Sequence, residues 1–192
     1  MGYVKQEIQK LITSTGSKKL ASKQAEIWFT NALTNMQKKE VVNTRTRFVP
    51  GKIYVFKYQP ITEKLAWFDQ NPVVLAIERN EDNDLGINLN LLPIKVKERL
   101  LDDLYVRLNK QIINASKKEN ATQQAPLKIT YIGMQTYLKR FGYDFAIRQY
   151  KPMQKIKQAV VTYESWPKIA LCDFISLNGT TLQEIRLQFR KR

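Results

Sequence analysis

The sequence predicts an α+β protein in which a small, bent antiparallel sheet is flanked by helices. Three strand-like runs follow one another closely between residues 52 and 92. The first run alternates with a period of two, which places its aromatic side chains on one face: Tyr54, Phe56 and Tyr58. A helical pattern follows at once, with apolar residues every four positions from Val96 to Leu108. A β-rich centre followed by a long helix is typical of the α+β class.

Turn-forming residues set the limits of the strands. The runs cover residues 52–58, 72–78 and 85–92, and Pro93 fits the first turn of a helix because its ring presets φ. Three strands alone are marginally stable, so a further strand is required. The β-branched run at 158–163 is the best candidate. These elements predict a small antiparallel β-barrel of the Src-homology type, or a curved sheet with flanking helices.

The chain is expected to be organised in four parts. Residues 1–45 form an N-terminal helical segment, and residues 46–115 form the β-rich core with its long helix. Residues 116–126 have almost no apolar content and are expected to be a mobile loop. Residues 127–192 supply helices, the closing strand and a basic C-terminal tail, with a capping box at Thr181 that starts a final helix.

The absent residue types exclude the commonest catalytic and metal chemistry. The chain has no histidine and one cysteine, Cys172. Ser-His and Cys-His catalysis, ordinary zinc sites and an internal disulfide are therefore excluded. The carboxylates do not converge in sequence as a metal nuclease requires, and the seven glycines are scattered singly. We expect a protein that is not an enzyme and needs no cofactor or metal.

The charge is strongly positive and unevenly distributed. The net charge is +15, yet residues 61–92 carry two basic and six acidic side chains. Two basic arms therefore surround an acidic region, which indicates that different surfaces meet different partners. A polyanion such as DNA and an acidic protein surface are both compatible with this charge. No run of eighteen apolar residues is present, so the sequence does not predict a membrane partner.

Two sets of candidate contact residues follow from these patterns. The basic arms are expected to bind DNA phosphates without reading the base sequence, since no base-reading motif is visible. Their members are Lys18, Lys19, Lys23, Arg45, Arg47, Lys139, Arg140, Arg148, Lys151, Lys155 and Lys157. Trp28 and Phe29 lie on the apolar stripe of the helix predicted from about residue 18 to 39. They are either a contact for a neighbouring protein or part of the core.

Three segments carry a resemblance to a known family. They are PGKIYVFKY at 50–58, WFDQNPVV at 67–74 and GINLNLLP at 86–93. The pattern resembles the tailed-bacteriophage DNA end protector or head-completion family of virion proteins. Asn90 stands where that pattern has histidine, and Leu91 where it has tyrosine.

The resemblance implies a structural protein of a tailed-phage virion, made in the host cytoplasm and located at the head–tail junction or tail hub. It implies contact with packaged DNA ends, which such a protein shields. The implied partners are other phage structural proteins (portal, neck or tail hub) and double-stranded DNA, with several copies in the particle. Two alternatives stay open: a sequence-independent DNA-binding protein outside the particle, and a tail or baseplate adaptor that does not touch DNA.

Overall fold

The computed structural model describes residues 2–38, 47–59, 71–116 and 129–177, together with a few residues between 181 and 187. The strands are β1 (Ile53–Tyr58), β2 (Val73–Arg79), β3 (Asp84–Asn88), β4 (Ile147–Tyr150) and β5 (Lys155–Val161). They form an antiparallel sheet in the order β4-β3-β2-β1-β5. The helices are α1 (Tyr3–Thr15), α2 (Lys18–Lys38), α3 (Ile94–Ser116), α4 (Tyr131–Lys139), α5 (Trp166–Leu171) and α6 (Phe174–Leu177).

Successive side chains of each strand point to opposite faces of the sheet. Both faces are apolar. The outer face packs against the helices in a large core, which includes these residues: Ile53, Val73, Leu75, Ile77 and Ile87. The inner face forms a smaller cluster, here called the inner core. Its members are Phe48, Tyr54, Phe56, Val74, Ala76 and Tyr150, with Tyr58 packed against them.

The sheet is curled, although it is open at its edges. Strands β4 and β5 lie at opposite edges, yet only residues 151–154 join them. The edges of a flat five-stranded sheet would be about 19 Å apart, whereas this link, with its 3₁₀ turn, spans roughly 13 Å. The curl brings the Tyr58 ring on β1 to 5.5 Å from the Tyr150 ring on β4. Register shifts at 55–57 and 76–78 mark irregularities where the strands bend.

Two asparagines connect the end of β3 to the start of β2. The 3₁₀ turn Leu89–Leu91 begins where the Asn88 side chain accepts a hydrogen bond from the Asn90 backbone N–H, at 3.0 Å. The Asn90 side chain accepts from the Val73 N–H at 3.3 Å and donates to the Asn71 carbonyl at 3.2 Å. These bonds satisfy polar groups that the fold buries.

The helices cover one side of the sheet. Helices α1, α2, α3 and α5 pack on one another, and α2 also contacts β5. Apolar residues of α1 and α2, among them Val4, Ala21 and Ala25, belong to the same core as the outer sheet face. Helix α4 is joined to the end of β2, since the Tyr131 N–H donates to the Glu78 carboxylate at 2.6 Å. Among the described residues, no helix has the length and apolar character to span a membrane.

The α+β class with a curved antiparallel sheet and flanking helices is confirmed. The described strands form an open sheet, so the closed barrel that was the other expectation is not shown. The expected closing strand at 158–163 is β5, which begins three residues earlier and ends two earlier. Strand β4 and helices α5 and α6 were not expected.

The capping box is formed between Thr181 and Glu184, whose backbone N–H donates to the Thr181 hydroxyl at 3.2 Å. The expected mobile loop, from 117 onward, lies outside the described residues.

Candidate nucleic-acid interface

A groove of about 700 Å³ lies where the start of α2, the start of α3 and the end of α4 meet. Its apolar lining consists of Pro93, Ile94, Val96, Phe141, Tyr143 and Ile175. Two lysines, Lys18 and Lys95, and one acid, Asp173, complete the lining. The groove therefore combines an apolar lining with two lysines and one acid, which suits a ligand that has a flat ring and a phosphate.

The cations at the groove are positioned by helix geometry. Lys18 is the first residue of α2, and its side chain, 44% exposed, lies 3.4 Å from the Glu98 carboxylate of α3. Such an exposed pair contributes little to stability, so Lys18 is available to a stronger anion. Lys95 and Arg99 are four residues apart on α3 and share one face. The Arg99 guanidinium carbon lies 5.5 Å from the centre of the Phe141 ring.

Two of the predicted basic segments are adjacent in sequence to residues that line this groove. Lys19 and Lys23 are exposed on α2, directly after Lys18. Lys139 ends α4 and Arg140 caps it, and both are exposed immediately before Phe141. The fold thus brings Lys18 of the N-terminal arm to the same groove as Phe141, which directly follows Lys139 and Arg140 of the C-terminal arm.

Lys155 has to be removed from the predicted interface. Its side chain is fully buried, and its ammonium group donates to the Asp84 carboxylate and lies 3.9 Å from the centre of the Phe48 ring. Burial lowers the pKa of Lys155, while the hydrogen bond to Asp84 opposes that change. The sequence could not show this burial. Lys155 is the first residue of the edge strand β5, and only the curl of the sheet turns its side chain inward.

Arg47 is also held by internal contacts. Its Nε donates to Asp84 at 2.8 Å, and its other nitrogens donate to the carbonyl groups of Asn80, Glu81 and Asn83. Its side chain is 32% exposed. Arg47 therefore fastens the β2–β3 loop to the segment before β1, and we assign it a structural role. Arg45 lies outside the described residues.

Three further predicted cations lie around β4 and β5, at the curl of the sheet. Arg148 is half-buried and pairs with Gly86 of β3; it points away from the helices, because its neighbour Ile147 packs against the helix-side core. Lys151 is exposed in the link to β5. Lys157 is half-buried, and its positive φ of 51° marks the irregular part of β5. This second group lies apart from the helical groove.

The two α2 residues predicted to contact another protein have different environments in the structure. Phe29 is 5% exposed, and its ring lies edge-on to Phe174 at 4.9 Å, so it belongs to the core. Phe29 therefore follows the alternative in which this position packs in the core, and it is not a contact residue. Trp28 is half-buried beneath the Lys168 ammonium, which lies 5.3 Å from the ring centre. The outer face of α2 instead exposes Leu20 and Ile27, each by more than half.

Sequence reasoning missed Lys95 and Arg99 as members of the interface. In the sequence they have the pattern of surface charges on the long helix, with acids three or four positions away that can pair with them. The signal that was available is their four-residue spacing at the start of α3, next to the apolar groove lining. No group of histidine, cysteine or acidic residues with metal-binding geometry occurs in the part of the chain that the structure describes.

The comparison with known families identifies the chain. The family model described as the phage T4 terminal DNA protecting protein matches residues 2–179. The protein belongs to this family. No curated protein and no solved structure gives a significant match. The family is described by DNA protection, and nothing in that description indicates catalysis.

Most of the residues that carry the family resemblance have a structural role in the fold. Tyr54, Phe56 and Tyr58 belong to or pack against the inner core, and Gly51 has a φ of 83° in the turn that starts β1. Asn90, which replaces the histidine of the pattern, holds the segment before β2. The shared pattern therefore specifies the curled sheet, while the groove cations lie outside it.

Proposed function

We propose that this protein protects the ends of phage DNA by binding the duplex through its phosphates, without catalysis. The observation that carries the proposal is the family match over residues 2–179. The geometry supports it, because Lys18 of α2 and Lys95 of α3 line one groove, and the exposed Lys139 and Arg140 directly precede its lining residue Phe141. The cations proposed to contact DNA here are Lys18, Lys19, Lys23, Lys95, Arg99, Lys139 and Arg140.

The net charge of +15 supports a polyanionic ligand. Phosphate contacts release counterions from DNA, so affinity should fall steeply as salt is added. Phosphate contacts carry little sequence information, and the sequence offers no base-reading motif. End protection then requires only that the bound protein block access to the terminus.

The same proposal places the protein in the virion, at the head–tail junction or tail hub, in several copies and in contact with other phage structural proteins. A protector of packaged ends has to remain beside the genome until delivery, which supports this position. Mass spectrometry of purified particles tests it. Particles that package DNA but lack the protein would contradict incorporation, although they would leave DNA binding intact.

An exonuclease assay tests DNA protection. Linear duplex of fixed length is incubated with the protein, a nuclease that enters at double-stranded ends is added, and the surviving duplex is measured. A closed circle serves as a competitor without ends. We expect the linear duplex to survive and to be bound more tightly than the circle. Equal affinity for both forms would remove end recognition, and absence of binding at low salt would remove the DNA function altogether.

Two variants with equal charge loss test the assigned surface. The interface variant changes Lys19, Lys23, Lys139 and Arg140 to glutamine. The control variant changes Lys52, Lys57, Lys110 and Arg79 to glutamine, and all of these are also exposed. Each lost phosphate contact should reduce the slope of log K against log salt by about one. We expect a smaller slope for the interface variant and little change for the control. A reversed result would place the DNA on another surface.

A further inference from the structure

The groove between α2, α3 and α4 contains features that phosphate contacts alone do not require. Its floor is apolar and includes the half-buried Phe141 and the largely buried Tyr143. A surface that only follows a DNA backbone needs cations and hydrogen-bond donors. An aromatic floor beside cations is instead typical of sites in which unpaired bases stack.

The groove lining carries one more positive than negative charge, which favours an anionic ligand. Lys18 and Lys95 line it, and Arg99 lies against the Phe141 ring. Asp173 is the acid in the lining, and its charge interacts favourably with that of the buried Lys97. A carboxylate compensated in this way does little to repel a phosphate.

We propose that this groove binds an unpaired nucleotide at the end of a DNA duplex. The base lies on the apolar floor beside Phe141 and Tyr143, and the phosphates next to it lie between Lys18 and Lys95. The volume of about 700 Å³ is within the usual range for small-ligand sites and accommodates one nucleotide. The proposal rests on the proposed DNA function and adds that the recognised end has a single-stranded extension or a frayed terminal pair.

Charge argues against the C-terminal tail of the chain as the occupant. Ile175 lines the groove and precedes the tail by a few residues in sequence. Residues 178–192 contain four basic side chains and one acidic one. A tail with this excess of positive charge is repelled by Lys18 and Lys95, whereas a nucleotide phosphate is attracted.

The test compares duplexes of one sequence that are blunt or carry a short single-stranded extension. Binding of the full chain is measured by fluorescence anisotropy at fixed low salt. We expect the extended duplex to bind roughly fivefold more tightly or better, which corresponds to the lower end for stacking of one base. In a second measurement, iodouracil at the extension is photocrosslinked to the protein, and the crosslinked peptide should contain Phe141 or Tyr143.

Variants assign the preference to the groove. Phe141→Leu keeps the apolar volume and removes the ring, and it should abolish the preference for the extension. Tyr3→Leu changes a half-buried ring that stacks on Tyr105 and does not line the groove, and it should retain the preference. If Phe141→Leu does not fold, Ile94→Glu tests the same site, because it places a carboxylate beside the expected phosphate.

The outcomes separate this inference from the proposed function. If the protein binds no DNA, both are wrong. Equal binding of blunt and extended duplexes, or a preference that survives Phe141→Leu and Ile94→Glu, overturns the groove assignment alone. A crosslink to residues away from the groove overturns it as well.

Discussion

Asp84 of β3 and Lys155 of β5 form a fully buried ion pair across the curled sheet. The two strands are separated by β1 and β2 in the sheet order, so only the curl brings them together. Asp84 also accepts from Arg47 Nε at 2.8 Å and from the Phe48 N–H at 3.1 Å. One carboxylate on β3 therefore connects the β5 edge of the curl with the segment before β1.

Replacement of Asp84 should destabilise the protein strongly. Asp84→Asn leaves the buried Lys155 and the partly buried Arg47 without an anion, and loss of one partner of a buried pair costs about 3–5 kcal/mol. Urea unfolding of the variant and the parent protein measures the difference.

Lys155→Met provides the comparison. It removes the buried cation, keeps the apolar stem and leaves Asp84 paired with Arg47, so we expect a much smaller loss of unfolding free energy. Equal losses for the two variants would show that Lys155, rather than the carboxylate, organises the inner core.

The sequence predicts much of this sheet because local signals determine its strands. The alternation at Tyr54, Phe56 and Tyr58 and the prolines before β2 and α3 all correspond to real boundaries within about two residues. Strand β4 escaped prediction because it is four residues long and bounded by short 3₁₀ turns. A window that short does not establish a period.

The candidate site is less accessible to sequence reasoning. Lys155 and Lys151 are both lysines in a basic segment, yet one is buried and the other exposed. Only the tertiary curl distinguishes them. The groove likewise joins Lys18 to Phe141 through packing of α2, α3 and the end of α4, and such long-range contacts leave no local pattern.

Lys97 makes stability depend on pH. Its side chain is buried, and its ammonium group donates to the Cys172 carbonyl and lies 4.3 Å from the centre of the Phe174 ring. Burial lowers the pKa of Lys97 from 10.5 to about 8, opposed by Cys172, Asp173 and Glu26. Between these two values the unfolded chain binds more protons than the folded one. The contribution of Lys97 to the unfolding free energy should therefore increase as pH rises through this interval.

The measurement compares the parent protein with Lys97→Met. Cys172 acts in the opposite sense, because burial raises its thiol pKa from 9 to about 12 and the unfolded chain loses that proton first. The interval from pH 8 to 9 therefore isolates Lys97 from this opposing effect. The parent should become more stable across it by chemical denaturation, and the variant should not. The same slope in both proteins would contradict the assignment.

Gly86 should tolerate no side chain. A Cβ atom there would lie 2.2 Å from Val74 Cγ1 and 2.8 Å from the Leu75 carbonyl oxygen, so β2 and β3 would have to separate. Overpacking of this kind costs about 1–3 kcal/mol. Gly86→Ala should lower the thermal midpoint, measured by circular dichroism. Gly133→Ala is the control, because its Cβ meets only the Thr130 hydroxyl at 3.0 Å and alanine favours the helix. A stable Gly86→Ala protein would show that the pairing of β2 with β3 is looser.

The last prediction concerns the outer face of α2. Trp28 packs against the helix-side core, so Trp28→Glu should lower the unfolding free energy by roughly 1–3 kcal/mol. Ile27 is 54% exposed, and Ile27→Glu should change stability by less than about 0.5 kcal/mol. Denaturant unfolding of the two variants measures both effects.

Ile27→Glu also tests whether the outer face of α2 contacts a virion protein. If its outer face is a contact, Ile27→Glu should fold normally and yet be absent from purified particles, because a carboxylate replaces an apolar contact. Thr30→Glu adds the same charge at another exposed position and is the matched control. Normal incorporation of Ile27→Glu would move the contact elsewhere. Loss of both variants would show that negative charge on α2, rather than the apolar side chain, prevents assembly.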